Sequence, residues 1–417
     1  MIGVDSGSPD GAAGIEGERV EVLLDVVGAA KVERARCVVK SPGVSSDAAP
    51  IVVARRRGLP VIGELELAWR LLPNPFLAVT GTNGKTTVTE LLAHVWRTAA
   101  KPVAVAGNVG TPLSSLVDKV DPEVTLICEA SSFQLEDADA FAPECGVLLN
   151  IADDHLDRHG SIDDYLAAKL RIFRNQSNED VCVYNGSDAA LRDRDLGGCG
   201  RRIAFCRDPV DSDDCQASLA GTVLELWGEP LVEVSELALP GPHNAENAAA
   251  TAAAAAALGI DRGAIAEGLR SFAGVPHRLE RVRELGGVRF VNDSKATNVA
   301  AASAALRSFD GGVRAILGGL FKGGGFSELA APVAERCVEA YLIGEATERL
   351  ELELAPAWQA GVEHRRYGGL AEAVRAAAAD ASAGEVVLLA PACASFDAYP
   401  DFEARGEHFR ALVGELG

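Results

Sequence analysis

Short apolar runs that end in a polar residue alternate along the chain with longer Ala-, Leu-, Arg- and Glu-rich stretches of helical character. This alternation is typical of strands and helices that build a parallel sheet. The clearest apolar runs cover residues 77–79, 103–106, 124–128, 146–149 and 181–183, and later 288–291, 313–317, 341–343 and 386–389. We therefore predict an α/β protein with open, mostly parallel sheets.

Polar residues follow the first group of these runs. They are Thr80, Asn108, Glu129, Asn150 and Asn185. Ligands of open parallel sheets gather at the carboxyl ends of the strands. Any chemistry is expected at this edge.

Two breaks divide the chain into three segments, 1–73, 74–275 and 276–417. The proline-containing stretch 73–75 cannot continue a helix or a strand ladder, and the stretch 274–276 precedes the second group of strands. A chain of 417 residues also exceeds the roughly 250 to 300 residues at which one hydrophobic core stops growing. We predict three domains with these bounds.

The charge of the chain excludes one class of partner. Asp and Glu number 60 against 39 Lys and Arg, which gives a formal net charge of -21. Such a surface repels the phosphate backbone of nucleic acid. If the protein handles phosphates, it must do so locally, with backbone N–H groups, a few placed cations and a metal ion.

Cysteine usage and hydropathy indicate a cytoplasmic protein. Nine cysteines are scattered without a C-x-x-C pair, as expected of reduced thiols. The first 14 residues lack the basic and apolar regions of a signal peptide, and the longest apolar stretch, 248–260, is too short to cross a bilayer. We expect a monomer that binds no membrane.

Residues 80–87 carry the strongest chemical signal, T-G-T-N-G-K-T-T, between a predicted strand and a predicted helix. Glycines let backbone N–H groups face an anion, Lys85 adds a charge for phosphate, and the Thr86 hydroxyl suits Mg²⁺. Val79 stands where the strict motif has its first glycine. An ordinary glycine-rich turn is the alternative, and the strand and helix on either side disfavour it. The candidate ATP-binding residues are Gly81, Thr82, Asn83, Gly84, Lys85, Thr86 and Thr87.

This variant of the phosphate loop resembles that of the Mur ligases, and further segments occur in the order of that family. They are G-N-V-G at 107–110, E-A-S-S-F-Q-L-E at 129–136, N-I-A-D-D-H-L-D-R-H at 150–159, A-A-K-L-R-I at 167–172, P-G-P-H-N at 240–244, P-H-R at 276–278, N-D-S-K-A-T-N at 292–298 and S-F-D at 395–397. The resemblance extends from about residue 36 to the C-terminus. The 292–298 segment is similar to that of the D-glutamate-adding branch, whereas the sister enzymes carry D-Y-A-H there.

The resemblance implies a ligase that uses ATP and Mg²⁺ to join D-glutamate to UDP-N-acetylmuramoyl-L-alanine through an acyl phosphate. It also implies a truncated Rossmann-like N-terminal domain for the UDP substrate, a P-loop ATPase central domain and a Rossmann-like C-terminal domain for the amino acid. No Ser-His-Asp set is found in the sequence. Catalysis by positioning and electrostatics needs none.

The resemblance further assigns the catalytic and metal-binding residues. Thr86, Glu129, His155 and Lys169 would hold two Mg²⁺ ions, with Lys169 carbamylated by CO₂. From the residues alone, Glu129 at a strand end suits Mg²⁺, an isolated histidine is more often structural, and Lys169 reads as a solvated helix residue. The role of His159 stays open.

The remaining assignments are also carried over from the family. The UDP substrate would meet Asp5, Ser6, Ser41, Pro42, Gly43 and Asn108. ATP would additionally meet Asn244, Asn247, Arg278 and Asp293, and D-glutamate would meet Thr297, Lys322, Ser395 and Phe402.

The chain departs from the family pattern in two places. Phe321 and Gly325 stand where Asp is usual, which affects the loop around Lys322. The family's first strand, glycine turn and helix are missing, so we expect an upstream in-frame segment that encodes them.

Two other functions fit parts of the sequence. A folylpolyglutamate-synthase-like ligase is disfavoured by the intact 292–298 segment. A catalytically silent nucleotide-binding relative is disfavoured by the intact set Lys85, Glu129, His155 and Lys169.

Overall fold

The computed structural model describes residues 1–6, 20–108, 110–152, 156–207, 215–239, 241–321 and 325–417. The candidate residues His155 and Lys322 lie outside these ranges. The chain forms two compact units, Met1–Ala273 and Gly274–Gly417. The predicted break at 274–276 lies at the start of the second unit, and the further division at residue 73 stays a prediction.

The strands of the first unit are β1 Ile2–Val4, β2 Glu21–Leu23, β3 Val38–Lys40, β4 Val61–Gly63, β5 Phe76–Thr80, β6 Val103–Gly107, β7 Thr125–Glu129, β8 Cys145–Leu148, β9 Val181–Asn185, β10 Arg201–Cys206, β11 Cys215–Ala220, β12 Val223–Leu226 and β13 Glu229–Glu233. Its α-helices are α1 Ala49–Arg56, α2 Glu64–Leu71, α3 Lys85–Thr98, α4 Ser132–Glu136, α5 Leu156–His159, α6 Ile162–Leu170, α7 Pro242–Ala257 and α8 Arg262–Ser271. Short 3₁₀ turns cover Ala29–Arg34, Leu113–Leu116 and Val234–Glu236.

The strands of the second unit are β14 Glu280–Leu285, β15 Val288–Asn292, β16 Val313–Gly318, β17 Cys337–Ile343, β18 Glu363–Arg366 and β19 Val386–Leu389. Its helices are α9 Val299–Arg307, α10 Ala330–Arg336, α11 Thr347–Glu353, α12 Ala355–Gln359, α13 Leu370–Asp380 and α14 Phe402–Glu415, with a 3₁₀ turn at Ser327–Leu329.

A nine-stranded sheet forms the centre of the first unit, in the order β13-β12-β11-β10-β9-β8-β5-β7-β6. The pairs from β6 to β11 are parallel, whereas β12 and β13 add an antiparallel edge. Every residue of β5 is buried, as expected for a strand with both faces covered. Strand β5 therefore delivers the phosphate loop from the middle of the sheet.

Two small parallel sheets precede this one in the chain. Strand β1 pairs with β2, and β3 pairs with β4. Each provides only three register pairs. The candidate UDP-substrate residues follow β1 and β3 directly.

The second unit is a six-stranded sheet in the order β14-β15-β19-β16-β17-β18. Only the β14–β15 pair is antiparallel among these neighbours. Apolar clusters cover both faces, one packed with α9 and α10 and the other with α13 and α14. The predicted fold class, parallel-dominated α/β sheets in more than one domain, is confirmed.

The cysteines correct one expectation. Cys206 and Cys215 form a disulfide between the adjacent strands β10 and β11, with Cα atoms 6.1 Å apart. The prediction that all nine thiols are reduced is therefore wrong for this pair. The spacing of the cysteines in the sequence does not indicate this pair, because strand pairing rather than a C-x-x-C motif brings the two residues together.

Within the described ranges, no helix has the length and apolar character needed to cross a membrane.

Candidate active site at the phosphate loop

The phosphate loop occupies the turn between β5 and α3. Gly84 precedes the helix in a left-handed conformation, with φ of +84°. A Cβ atom there would lie 2.5 Å from Oδ1 of Asn247 and 3.3 Å from Cδ1 of Leu149. Both the backbone angle and the close neighbours thus require glycine. Helix α3 begins directly after Gly84, which places the first backbone N–H groups of the helix at the loop, as anion binding needs.

Asn150, at the end of the β8 segment, holds the loop in shape. Its carbonyl oxygen accepts from Thr82 N at 2.9 Å, and its Oδ1 accepts from Asn83 N at 2.8 Å. The Thr82 hydroxyl lies 3.2 Å from Tyr165 Oη. The loop is therefore preorganised by protein contacts on its outer side.

Lys85 folds back over this loop. Its Nζ donates to the carbonyl oxygens of Gly81 and Thr82, at 2.9 and 2.8 Å. An ammonium in this position faces the same space as the loop N–H groups. The arrangement suits the phosphates of a nucleotide.

Thr86, Glu129 and Asn108 converge from three elements. Thr86 Oγ1 donates to Glu129 Oε2 at 2.7 Å, and Asn108 Nδ2 donates to Oε1 at 3.1 Å. Glu129 is buried, with 3% of its surface exposed. A hydroxyl and a carboxylate beside a phosphate loop are the oxygen donors that Mg²⁺ prefers. These residues fit the ion that the family resemblance implies.

Lys169, on α6, lies on the other side of the loop and is 1% exposed. Its Nζ donates to Gly81 O at 2.8 Å and lies 4.4 Å from the centre of the Tyr165 ring. The compositional reading of Lys169 as a solvated residue is wrong. Tyr165, one helical turn before it, was not identified from the sequence, although the i, i+4 spacing places both on one face.

Asn244 and Asn247 lie in the first two turns of α7, next to the loop. They line a small pocket together with Thr87, Leu91 and Phe272. Asn247 Nδ2 faces Asn244 Oδ1 at 3.4 Å. The amide of Asn247 is thus placed beside Gly84 of the loop.

The candidate UDP-substrate residues occupy two places. Asp5 and Ser6 follow β1, and Asp5 N donates to Leu23 O at 3.0 Å. Residues 41–43 form a turn after β3. Asn108 is the member of this group that reaches the Glu129 carboxylate.

In the second unit, Asp293 is a buried carboxyl group at the end of β15. Burial raises its pKa to about 6, opposed by the Leu279 N–H and by the charges of Arg278 and Lys295. Leu279 N lies 3.2 Å from Asp293 Oδ1. A carboxyl group with this pKa can accept hydrogen bonds from a ribose at neutral pH.

Thr297 and Phe321 line a cavity of about 240 Å³ in the second unit, together with Gly325, Phe326 and Cys393. The Phe321 and Phe326 rings lie 5.3 Å apart. The departure from the usual Asp thus provides an apolar wall beside Thr297.

Arg405, on α14, is a residue that sequence reasoning missed. Its guanidinium is 1% exposed and donates to Ser294 Oγ, Ser294 O, Cys393 O and Ala394 O at 2.9 to 3.2 Å. Burial lowers its pKa to about 10. It ties the 292–298 segment to the strand that leads into Ser395, and Ser294 Oγ in turn donates to Phe402 O at 2.8 Å. Three of the four candidate D-glutamate residues are thereby held near one buried cation.

Comparisons with known proteins agree with these features. The Mur ligase middle domain matches residues 79–255, and the Mur ligase, glutamate ligase domain matches residues 277–393. The UDP-N-acetylmuramoylalanine–D-glutamate ligase of Pelotomaculum thermopropionicum is 42% identical over 100% of this chain and 92% of its own length. That of Acidobacterium capsulatum is 43% identical over 90% of this chain and 82% of its own length.

Solved structures show the same fold at lower identity. The UDP-N-acetylmuramate–alanine ligase of Thermotoga maritima has a TM-score of 0.56 at 20% identity, covering 99% of this chain and 93% of its own. FolC of E. coli, in complex with DHPP and ADP, has a TM-score of 0.57 at 20% identity, covering 84% and 92%.

Proposed function

The chain belongs to the Mur ligase family of ATP-dependent ligases, and we propose that it joins D-glutamate to UDP-N-acetylmuramoyl-L-alanine in peptidoglycan precursor synthesis. The observation that carries the proposal is 42% identity along the whole chain to a ligase named for this reaction. The contacts of Lys85, Thr86 and Glu129 around the loop support it. The two products besides the amide are ADP and phosphate.

The reaction has two covalent steps. A carboxylate oxygen of the L-alanyl group attacks the γ-phosphorus of ATP, and the bond to the β-phosphate oxygen breaks to release ADP. The D-glutamate amine then attacks the acyl carbon, the C–O bond to phosphate breaks, and the amine loses its protons to solvent. Positioning and electrostatic stabilisation are what the protein contributes to such steps.

The loop residues would bind and orient the nucleotide. Gly84 and the first residues of α3 would present backbone N–H groups, and Lys85 would place its ammonium toward the transferring phosphate. Thr86 and Glu129 would hold Mg²⁺, which would supply positive charge to offset the charge on the phosphoryl group. The family resemblance assigns a second Mg²⁺ to His155 and a carbamylated Lys169, and the burial of Lys169 beside Gly81 O supports a role at the loop.

Other residues would select the substrates. Asp5, Ser6, the 41–43 turn and Asn108 would bind the UDP-linked substrate. Thr297, Lys322, Ser395 and Phe402 would surround D-glutamate, and Arg278 and Asp293 would meet the nucleotide. The buried guanidinium of Arg405 would add positive potential near a dicarboxylate amino acid.

Phosphate release is the measurement that tests this function. Release should require Mg²⁺, ATP, D-glutamate and UDP-N-acetylmuramoyl-L-alanine together, and a folate substrate with L-glutamate should give none. Lys85→Ala should fall below about a tenth of wild-type ligation, a loss of at least about 1.4 kcal/mol of transition-state stabilisation. Equal release without the UDP substrate would contradict the proposal, and nucleotide binding without release would indicate a silent relative.

A further inference from the structure

Arg158 lies in the 150–159 segment, but no role was assigned to it above, and it donates a hydrogen bond to the turn at residues 41–43. We propose that Arg158 is a positioning residue that fixes this turn and thereby sets the affinity for the uridine nucleotide substrate. The proposal rests on the proposed function. It adds a residue to the UDP-substrate site rather than a new reaction.

Two contacts hold the turn directly. Arg158 Nη1 donates to Pro42 O at 3.1 Å. On the other side, Lys40 Nζ pairs with Asp137 Oδ2 at 2.5 Å and donates to Val44 O at 3.0 Å. The Lys40 and Asp137 side chains are only 1% and 2% exposed, so this pair is a fixed anchor. Arg158, whose side chain is 24% exposed, is the second residue that holds the turn.

Glu136 lies near both Arg158 and the segment after the turn. Its Oε1 accepts from Ser46 Oγ at 3.2 Å, and its Oε2 lies 3.9 Å from Arg158 Nη2. Its backbone oxygen accepts from Arg171 Nη1 at 2.5 Å. The carboxylate therefore lies between Arg158 and Ser46.

Arg158 also begins a stacked column of side chains. Its guanidinium lies 4.0 Å from the centre of the Phe133 ring, which stacks on His159 at 5.4 Å with an interplanar angle of 16°. His159 packs on Tyr165 at 5.3 Å, and Tyr165 carries Lys169 Nζ at 4.4 Å. The column runs from the turn to the phosphate loop.

His159 gains a role from this arrangement. Its Nε2 lies 3.0 Å from Ser132 Oγ, which orients the ring between Phe133 and Tyr165. The histidine that the sequence left open is thus a packing element of the column.

One hydrogen-bond donor of Arg158, the Nη2 group, has no acceptor among the described residues. Within the described part of the chain, Nη2 is buried and has no hydrogen-bond acceptor, since Glu136 is too far at 3.9 Å. A buried donor without an acceptor costs about 1 to 3 kcal/mol. A ligand that brings an acceptor to this side of the turn removes that cost.

The geometry requires a guanidinium. A planar group can stack on Phe133 while one nitrogen donates to Pro42 O, whereas the compact ammonium of lysine cannot do both. Arg158→Lys therefore keeps the charge and loses the positioning. Arg158→Met keeps most of the apolar stem and loses charge and donors.

Steady-state kinetics with each substrate varied in turn test the proposal. Both variants should raise KM for UDP-N-acetylmuramoyl-L-alanine at least about tenfold, equivalent to about 1.4 kcal/mol. KM for ATP and D-glutamate should stay within about twofold, and kcat within about threefold. Calorimetric binding of UDP alone should weaken in parallel.

Arg174→Lys is the matched control. Arg174 also donates to a backbone oxygen, that of Asp139, but does not touch the turn. It should leave every KM within about twofold of wild type.

Three outcomes overturn the proposal. They are an unchanged KM for the UDP substrate, an equal change in all three KM values, and a melting temperature lowered by more than about 10 °C in both variants, which would make Arg158 a folding residue. Failure of the proposed function is a separate result, because the wild-type enzyme would then show no ligation at all.

Discussion

Lys169 is the residue whose surroundings depart most from its composition. A buried lysine against Gly81 O and the Tyr165 ring is in a place where a carbamate would face the loop. We expect Lys169→Ala to lose most of its ligation activity. Acetate should restore part of it by supplying the missing carboxylate, whereas acetamide of the same shape should not.

Mass spectrometry of the intact wild-type protein under CO₂-rich, non-acidic conditions gives an independent check. An unmodified Lys169 together with absent acetate rescue would refute the carbamate.

Asp293 provides a prediction about pH. Its pKa rises from 3.8 to about 6 through burial, so the folded state holds the proton more tightly than the unfolded state. The contribution of Asp293 to the free energy of unfolding is therefore greatest below about pH 4 and falls as the pH rises from about 4 to about 6. The shift of about 2 units corresponds to about 3 kcal/mol lost by pH 7.5.

Asp293→Asn keeps an oxygen for the Leu279 N–H and removes the ionisation. In denaturation of the second unit, the free energy of unfolding of the variant should exceed that of the wild type by up to about 3 kcal/mol at pH 7.5. At pH 5 the difference should be roughly half as large. The exposed Asp310→Asn is the control, with a change within about 0.5 kcal/mol at both values. A variant advantage that grows toward low pH would contradict the assignment.

At the scale of a single residue, the sequence places side chains at strand ends but not their contacts. Thr86 and Glu129 follow neighbouring strands in the prediction, and the structure has them hydrogen-bonded. Sequence reasoning did not identify Arg158 and Arg405, because their hydrogen-bond acceptors are mostly backbone oxygens of residues distant in sequence. Such acceptors have no side-chain signature in a sequence.

The turn from β5 into α3 forms the candidate site, and its shape depends on the backbone conformation of Gly84. Gly84→Ala would force φ of +84° on a residue with a Cβ and push that atom against Asn247. We expect a loss of about 1 to 3 kcal/mol in stability and a weaker affinity for ATP. Thermal melting with and without ATP and Mg²⁺ measures both.

Gly110→Ala is a suitable comparison, since Gly110 has φ of +77° but no atom of the described residues beyond its chain neighbours lies within 4 Å of an added Cβ. It should cost stability through backbone strain alone and leave ATP affinity unchanged. Equal loss of ATP affinity in both variants would contradict a specific role for Gly84.

Strands made of continuous apolar residues were predictable from the sequence, and strands with many polar residues were not. Strands β5 to β9, β15 to β17 and β19 contain the continuous apolar runs that mark a parallel sheet. Strands β11, β12 and β14 alternate more and less buried positions, and β12, β13 and β14 extend the sheets as antiparallel strands. Polar residues interrupt the apolar runs of these strands in the sequence, because half of each strand faces away from the core.

The whole molecule consists of two compact units with their own apolar clusters. Leu126 is fully buried in the cluster on β7 of the first unit, and Leu388 is fully buried on β19 of the second. Truncation of either to alanine should cost about 2 to 5 kcal/mol within its own unit. Multi-domain proteins commonly unfold in more than one step, and we expect two calorimetric transitions for this chain.

Leu388→Ala should lower one of these transitions by roughly 5 to 15 °C, and Leu126→Ala should lower the other by a similar amount. The reason is that each substitution removes packing from a cluster made entirely by one unit. The double variant should show both shifts together, because sites without shared partners add. A single transition that both substitutions shift equally would mean that the two units unfold as one cooperative body, and the boundary at Gly274 would then have no thermodynamic meaning.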